Sequence, residues 1–220
     1  MKNLTGALKR NPLYFINSLL FFILLSAFCI FISKPDGFLF INQFHSKFFD
    51  YFFTLFTNLG NGLFVIGLMV FMLIRKKFGW SLQIGISFLV SGLLVQVFKH
   101  LVYSPRPKSY FGSQVIHCIN GVTGTGSSSF PSGHTTTIFA LTALLALYVP
   151  GRRSGIFFFM IAALTGFSRI YLSQHFPVDV LAGSVFGVLT SMAVYVLIPL
   201  KVFEKKFPKA GYETQSVKLR

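Results

Sequence analysis

Six mainly apolar stretches, 13–32, 62–74, 78–98, 134–149, 155–172 and 178–200, limit what this chain can become. Crossing the hydrocarbon of a bilayer takes about 20 such residues in a helix. Inside lipid every backbone N–H and C=O must be satisfied within the protein, which leaves the helix as the form for segments of this length. The expected architecture is an all-α bundle of six transmembrane helices in a single domain, residues 1–220. Several stretches are shorter than 20 residues. The one at 62–74 reads as borrowing a turn from 55–61, and thinning, tilt or snorkelling would accommodate the others. The first stretch is long and lacks a small-x-small cleavage pattern, so it reads as a retained span.

Composition supports a lipid solvent. Hydrophobic residues make up 53% of the chain and charged residues 11%, against about 25% charged in a soluble domain. The segment 36–59 carries Phe44, Phe48, Phe49, Phe52 and Phe53 among Asn42, Gln43, His45, Lys47 and Asp50. That pattern reads as an amphipathic helix lying in the membrane interface after the first span. A seventh span is the alternative, and Lys47 and Asp50 near the segment's centre argue against it.

The formal net charge of +15 would suggest nucleic acid in a soluble protein. Its distribution suggests topology instead. With the N-terminus inside, 14 basic residues fall on the inner side: Lys2, Lys9, Arg10, Arg75, Lys76, Lys77, Arg152, Arg153 and the six from Lys201 to Arg220. Six fall outside: Lys34, Lys47, Lys99, Arg106, Lys108 and Arg169. The positive-inside bias places both termini in the cytoplasm. No nucleic-acid partner is needed to explain the charge, and the basic tail after Leu200 reads as a solvated or headgroup-contacting end. The segment 112–132, rich in Gly and Ser, reads as a mobile outer loop. Cys29 and Cys118 have neither disulfide nor metal-ligand spacing.

Four of the outer cations, Lys99, Arg106, Lys108 and Arg169, sit at or near helix ends, where a lone cation commonly snorkels. Their neighbours suggest chemistry. Lys99 and Arg106-Pro107 close the third stretch. Pro131-Ser132-Gly133-His134 opens the fourth. Ser168-Arg169 closes the fifth and leads to His175 and Asp179. All three sets fall on one face, where three cations, two imidazoles and one carboxylate suit a phosphate dianion. Pro131 reads as the first residue of the fourth helix. Ser132 and Gly133 would then offer unpaired amides at a positive helix end, and Gly133 would admit a close anion. Pro177 reads as the start of the sixth helix. Asp179 in its first turn can reach back to His175, fix its tautomer and leave the other nitrogen free to attack.

The sequences K-x6-R-P, P-S-G-H and S-R-x5-H-x3-D, in that order, resemble the three motifs of the type-2 phosphatidic-acid phosphatase superfamily, which also includes soluble vanadium haloperoxidases. The resemblance covers nearly the whole chain. It implies a membrane lipid phosphatase without cofactor or metal. His175 would be the nucleophile, Asp179 its orienting partner and His134 the general acid. Lys99, Arg106, Arg169, Ser132 and Gly133 would bind the phosphate. The implied substrates are undecaprenyl diphosphate, phosphatidate-type lipids or lipid A phosphates. A lipid phosphotransferase using the same His/His/Asp set is the alternative, and a channel is disfavoured because the spans carry few polar groups. The implied location is the inner membrane, with the site facing the periplasm or outside. His45, His100 and His117 read as structural, and Lys108 as a headgroup contact.

The charge distribution makes a topology prediction. Reporter fusions after Lys77 and after Arg153 are expected to report cytoplasm, and fusions near Gly121 the outside. A cytoplasmic signal at Gly121 would put the motif-bearing face on the inner side.

Overall fold

Each apolar stretch forms a helix with bounds within a few residues of those read from the sequence. The structure is a computed structural model describing residues 4–112, 114–124 and 128–198. Among the described residues it is all helix, with no strand. The elements are α1 (Leu4–Arg10), α2 (Pro12–Phe31), α3 (Lys34–Asn42), α4 (Lys47–Phe56), a 3₁₀ turn (Thr57–Gly60), α5 (Gly62–Ile74), α6 (Phe78–Leu101), α7 (Pro107–Phe111), α8 (Gly133–Tyr148), α9 (Arg152–Tyr171) and α10 (Pro177–Leu197). Four helices, α2, α6, α9 and α10, are long and apolar enough to cross a membrane. The pair 47–60 and 62–74 qualifies together, bent by 54°, which makes five, while α8 is apolar but shorter.

Local chemistry sets the boundaries. Pro12 and Pro177 open α2 and α10, where a missing N–H leaves nothing unsatisfied. The Asn61 side chain caps α5 by accepting the Leu63 amide at 3.0 Å. The segment 36–59 is not the single helix expected. It divides into α3 and α4, because Ser46 stops the chain to cap α4 through the Phe49 amide at 3.3 Å. Its exposed face carries Phe48, Phe49, Tyr51 and Leu55. Residues 113 and 125–127 of the expected mobile loop, and the basic tail, lie outside the described residues. Other parts of that loop are tied down: the Thr123 hydroxyl donates to the Leu172 carbonyl at 3.0 Å, and the Ser129 amide to the Ser104 carbonyl at 2.7 Å.

The core is built around α8, which is buried along most of its length. Its most extensive partner is α10, followed by α9. Without a hydrophobic drive between helices in lipid, small residues and interhelical hydrogen bonds hold such bundles. On α10, a Cβ at Gly183 would lie 2.7 Å from the Ser132 carbonyl oxygen, and one at Gly187 would lie 2.6 Å from that of Thr136. These glycines let the two backbones meet. Tyr14 of α2 adds a buried bond to the Thr142 hydroxyl of α8 at 3.0 Å. The outward faces of α2 and α6 expose Leu19, Ile23, Leu24, Leu89 and Leu93, a surface that lipid satisfies and water does not.

Close α8–α10 contact should therefore be intolerant of bulk. Gly187→Val is expected to destabilise the protein by about 1–3 kcal/mol, as overpacking does, read by reversible unfolding in detergent. An unchanged midpoint would mean that the backbones are not held this closely.

Candidate active site

Helix ends from α6, α8, α9 and α10 meet at one end of the bundle. The α9–α10 connection places the first group. After Tyr171 the chain folds back on α9, and the Arg169 carbonyl accepts the amides of Gln174 at 3.0 Å and His175 at 3.1 Å. Asp179 lies in the first turn of α10. Its Oδ2 accepts the Phe176 amide at 2.9 Å, a helix cap that also suits the positive helix end. Nδ1 of His175 lies 3.5 Å from Asp179 Oδ2. Ser129 joins them: its hydroxyl donates to Asp179 Oδ2 at 2.5 Å and lies 3.2 Å from His175 Nδ1. His175, Asp179 and Ser129 are all buried. Burial pushes the His175 imidazole down to about 4, against the opposing pull of Asp179, and the fields of Arg169 and Arg106 lower it further. At neutral pH the ring is an uncharged base.

The start of α8 faces this pair and departs from the sequence reading. Pro131 is not the first helical residue. The helix begins at Gly133, and Ser132 is its N-cap, accepting the Thr135 amide at 3.4 Å. Nor is the Ser132 amide unpaired: it donates to the Asp179 carbonyl at 3.0 Å. This buried serine locks α8 to α10. The first two amides of the helix belong instead to Gly133 and His134, and such groups have no acceptor within their own helix. The His134 ring makes no hydrogen bond among the described residues. Its backbone is packed by Gly60 of the 3₁₀ turn, where a Cβ would come within 2.7 Å of the His134 carbonyl oxygen.

The three motif cations are each held by an uncharged acceptor. Lys99 Nζ donates to the Ser128 carbonyl at 2.6 Å. Arg106 Nη1 donates to Gln174 Oε1 at 2.6 Å, and burial lowers its guanidinium from the ordinary value while Asp179 opposes that shift. Arg169 is buried, its Nη1 donates to Thr57 Oγ1 at 2.6 Å, and its Nε has no hydrogen-bond partner. No carboxylate lies within 4.0 Å of Lys99 or Arg169 among the described residues. Positive charge, helix-end amides and a neutral imidazole base converge with little counter-charge, which is the complement of an anion.

Ser129, Gln174 and Thr57 were not singled out in the sequence. Ser129 sits in a serine run that reads as loop, and Thr57 is remote in the chain. Adjacency to His175 was the one signal for Gln174. Residues outside the three motifs are placed elsewhere. His117 pairs with Asp50 at 3.0 Å and stacks on His45 at 4.1 Å between ring centroids. Lys108 reaches the Thr123 carbonyl at 3.5 Å. Lys34 lies 4.2 Å from the Phe176 ring centroid and donates to Ser104 at 2.8 Å. Cys29 and Cys118 are free thiols. No group of three or more His, Cys, Asp or Glu among the described residues could hold a metal ion.

Comparison with known proteins gives this geometry a context. The model of the PAP2 superfamily matches residues 80–203, which contain every motif residue above. The chain is 35% identical over 101 residues to undecaprenyl-diphosphatase BcrC of Bacillus subtilis, covering 46% of this chain and 49% of that one. It is 29% identical over 161 residues to the lipid A 4'-phosphatase of Bacteroides thetaiotaomicron, covering 68% and 69%. The match thus spans about half the length of the first relative. The crystal structure of Aquifex aeolicus LpxE superposes with a TM-score of 0.64 at 27% identity, over 72% of this chain and 92% of that one. That of a transmembrane PAP2 type phosphatidylglycerolphosphate phosphatase from Bacillus subtilis gives 0.62 at 24%, over 89% and 98%; at that identity it supports the fold alone.

The environment of His175 predicts its titration. Because the lowered value favours the neutral ring, the imidazole is expected to stay uncharged as pH falls through 6.5 and to protonate only near pH 4. NMR titration of labelled histidine, with His175→Ala assigning the resonance, reads this directly. A midpoint at or above 6.5 would contradict the desolvated site.

Proposed function

Because this chain belongs to the PAP2 superfamily, we propose that it hydrolyses a phosphate or diphosphate lipid headgroup through a phosphohistidine on His175. The observation that carries the proposal is the His175–Asp179 pair set opposite the N-terminus of α8 among Lys99, Arg106 and Arg169. In the first step His175 Nε2 attacks phosphorus and the bond to the leaving oxygen breaks. His134, which the bound phosphate dianion holds protonated, gives its proton to that oxygen. The imidazolium formed on His175 keeps its Nδ1 proton toward Asp179. In the second step His134, now neutral, takes a proton from water. The water oxygen attacks phosphorus, the P–N bond breaks and phosphate leaves. Lys99, Arg106, Arg169 and the amides of Gly133 and His134 stabilise the charge on the equatorial oxygens. Ser132 serves this site by holding α8 in place. Neither step requires a metal.

Six crossings suit this reading: α2, α5, α6, α8, α9 and α10, with α4 lying in the interface and both termini in the cytoplasm. The site would then open to the outer face of the inner membrane. Among substrates, undecaprenyl diphosphate is supported by the likeness to BcrC. A lipid A phosphate is the second reading, favoured by the longer match to the lipid A 4'-phosphatase. Phosphate release from a panel of both, together with phosphatidate, separates these readings.

The two histidines should respond differently to the leaving group. A lipid alkoxide needs a proton badly, and an aryl phosphate with a good leaving group needs it much less. General acid catalysis contributes about 10²–10⁴-fold, so His134→Ala should lose rate of that order on the lipid and far less on the aryl ester. His175→Ala should abolish both reactions, and EDTA should leave the wild type unaffected. Equal losses for His134→Ala on both substrates, or activity restored by magnesium after chelation, would contradict the assigned roles.

A further inference from the structure

We infer that Ser129 is a positioning residue that sets the proton of His175 on Nδ1 and transmits the charge of Asp179 to it; the inference rests on His175 being the nucleophile. The side chain is fully buried, so water does not compete for its bonds. Its hydroxyl has one proton and faces two groups. One is the Asp179 carboxylate oxygen at 2.5 Å, which can only accept. The hydroxyl must donate there, and its oxygen then turns a lone pair toward His175 Nδ1 at 3.2 Å. That contact is favourable when Nδ1 carries the proton, and repulsive when Nδ1 carries a lone pair. The direct distance from Nδ1 to Asp179 Oδ2 is 3.5 Å, too long to be a good hydrogen bond by itself. Asp179 thus acts on the imidazole in large part through the serine.

Three anchors hold Ser129 at this point. Its amide donates to the Ser104 carbonyl at 2.7 Å. The preceding residue, Ser128, accepts the Ser104 amide on its hydroxyl at 3.1 Å and the Lys99 ammonium on its carbonyl at 2.6 Å. Three residues onward, the Ser132 amide is fixed by the Asp179 carbonyl at 3.0 Å. Ser129 is therefore placed by the same segments that carry Lys99, Arg106 and His134. In the proposed reaction the proton on Nδ1 does not move. Attack at Nε2 makes the ring cationic, and the Nδ1–H···Oγ–H···Oδ2 chain strengthens as that charge develops, so removing its middle member should cost turnover more than binding.

Two measurements test this. In kinetics, Ser129→Ala should lower kcat by about 10- to 100-fold, the range seen when the partner orienting a liganding imidazole is removed, with KM changed by less than about threefold, while Ser129→Thr, which keeps the hydroxyl, should recover most of the rate. Loss in KM alone, or full kcat in a folded Ser129→Ala protein, overturns the inference. In nitrogen-15 NMR of labelled histidine without substrate, wild-type His175 should carry its neutral proton on Nδ1, and Ser129→Ala should shift it toward a tautomer mixture. A wild-type proton on Nε2 overturns the inference even if no variant folds. The NMR result stands apart from the reaction: wild-type protein that releases no phosphate from any lipid would count against the proposed function, whereas a wrong tautomer in an active enzyme would count against Ser129 alone.

Discussion

Asp179 is a carboxylate with no exposure to solvent, and the rest of the site is organised around keeping it there. Burying an ionised group costs several kcal/mol unless donors replace its water. The Phe176 amide and the Ser129 hydroxyl donate to its Oδ2, and the ring of His175 stands 3.5 Å from the same oxygen. Each comes from a different structural need: a helix start, a loop and a turn. The backbone of the same residue accepts the Ser132 amide, so one position fixes the cap of α10, the cap of α8 and the orientation of the imidazole. Gly183, one turn along α10, removes the Cβ that would otherwise collide with the Ser132 carbonyl. Packing and chemistry therefore share one contact, and loosening it would disturb both.

The cations follow from the same economy of counter-charge. Lys99 and Arg169 are held by a carbonyl and a hydroxyl rather than by carboxylates. Bonds of this kind set direction without neutralising charge. In the proposed reaction an arriving phosphate supplies the missing negative charge and meets donors already aimed, which is the condition for electrostatic stabilisation without reorganisation. The burial that strengthens these interactions also keeps His175 neutral, so in the proposed reaction one property of the pocket serves both the phosphate-binding groups and the nucleophile.

Much of this was legible in the sequence because hydrophobic length and motif spacing are local properties. The helices that begin at Pro12, Phe78 and Pro177 could be read from apolar runs, the last also from its proline start, and Asp179 four residues after His175 could be read as its partner. The break at Ser46 lies inside a segment read as one aromatic helix, and the side-chain cap that makes it is visible only in the structure. Pro131 obeyed a sound rule for helix starts, but Ser132 is the better cap and moved the start to Gly133. The pairing of the Ser132 amide with Asp179, and the placement of Ser129 and Thr57, depend on contacts between segments tens of residues apart. Spacing within one segment carries no trace of them.

The claim on which the chemistry turns is that the phosphoryl group rests on His175 between two displacements. Each in-line displacement inverts phosphorus, so two should restore its configuration. A lipid thiophosphate made chiral with oxygen isotopes, hydrolysed in isotopically labelled water, reports the outcome in the released thiophosphate. Overall retention is the predicted result. Inversion would mean that water attacks the lipid phosphate directly, and would contradict the phosphohistidine account.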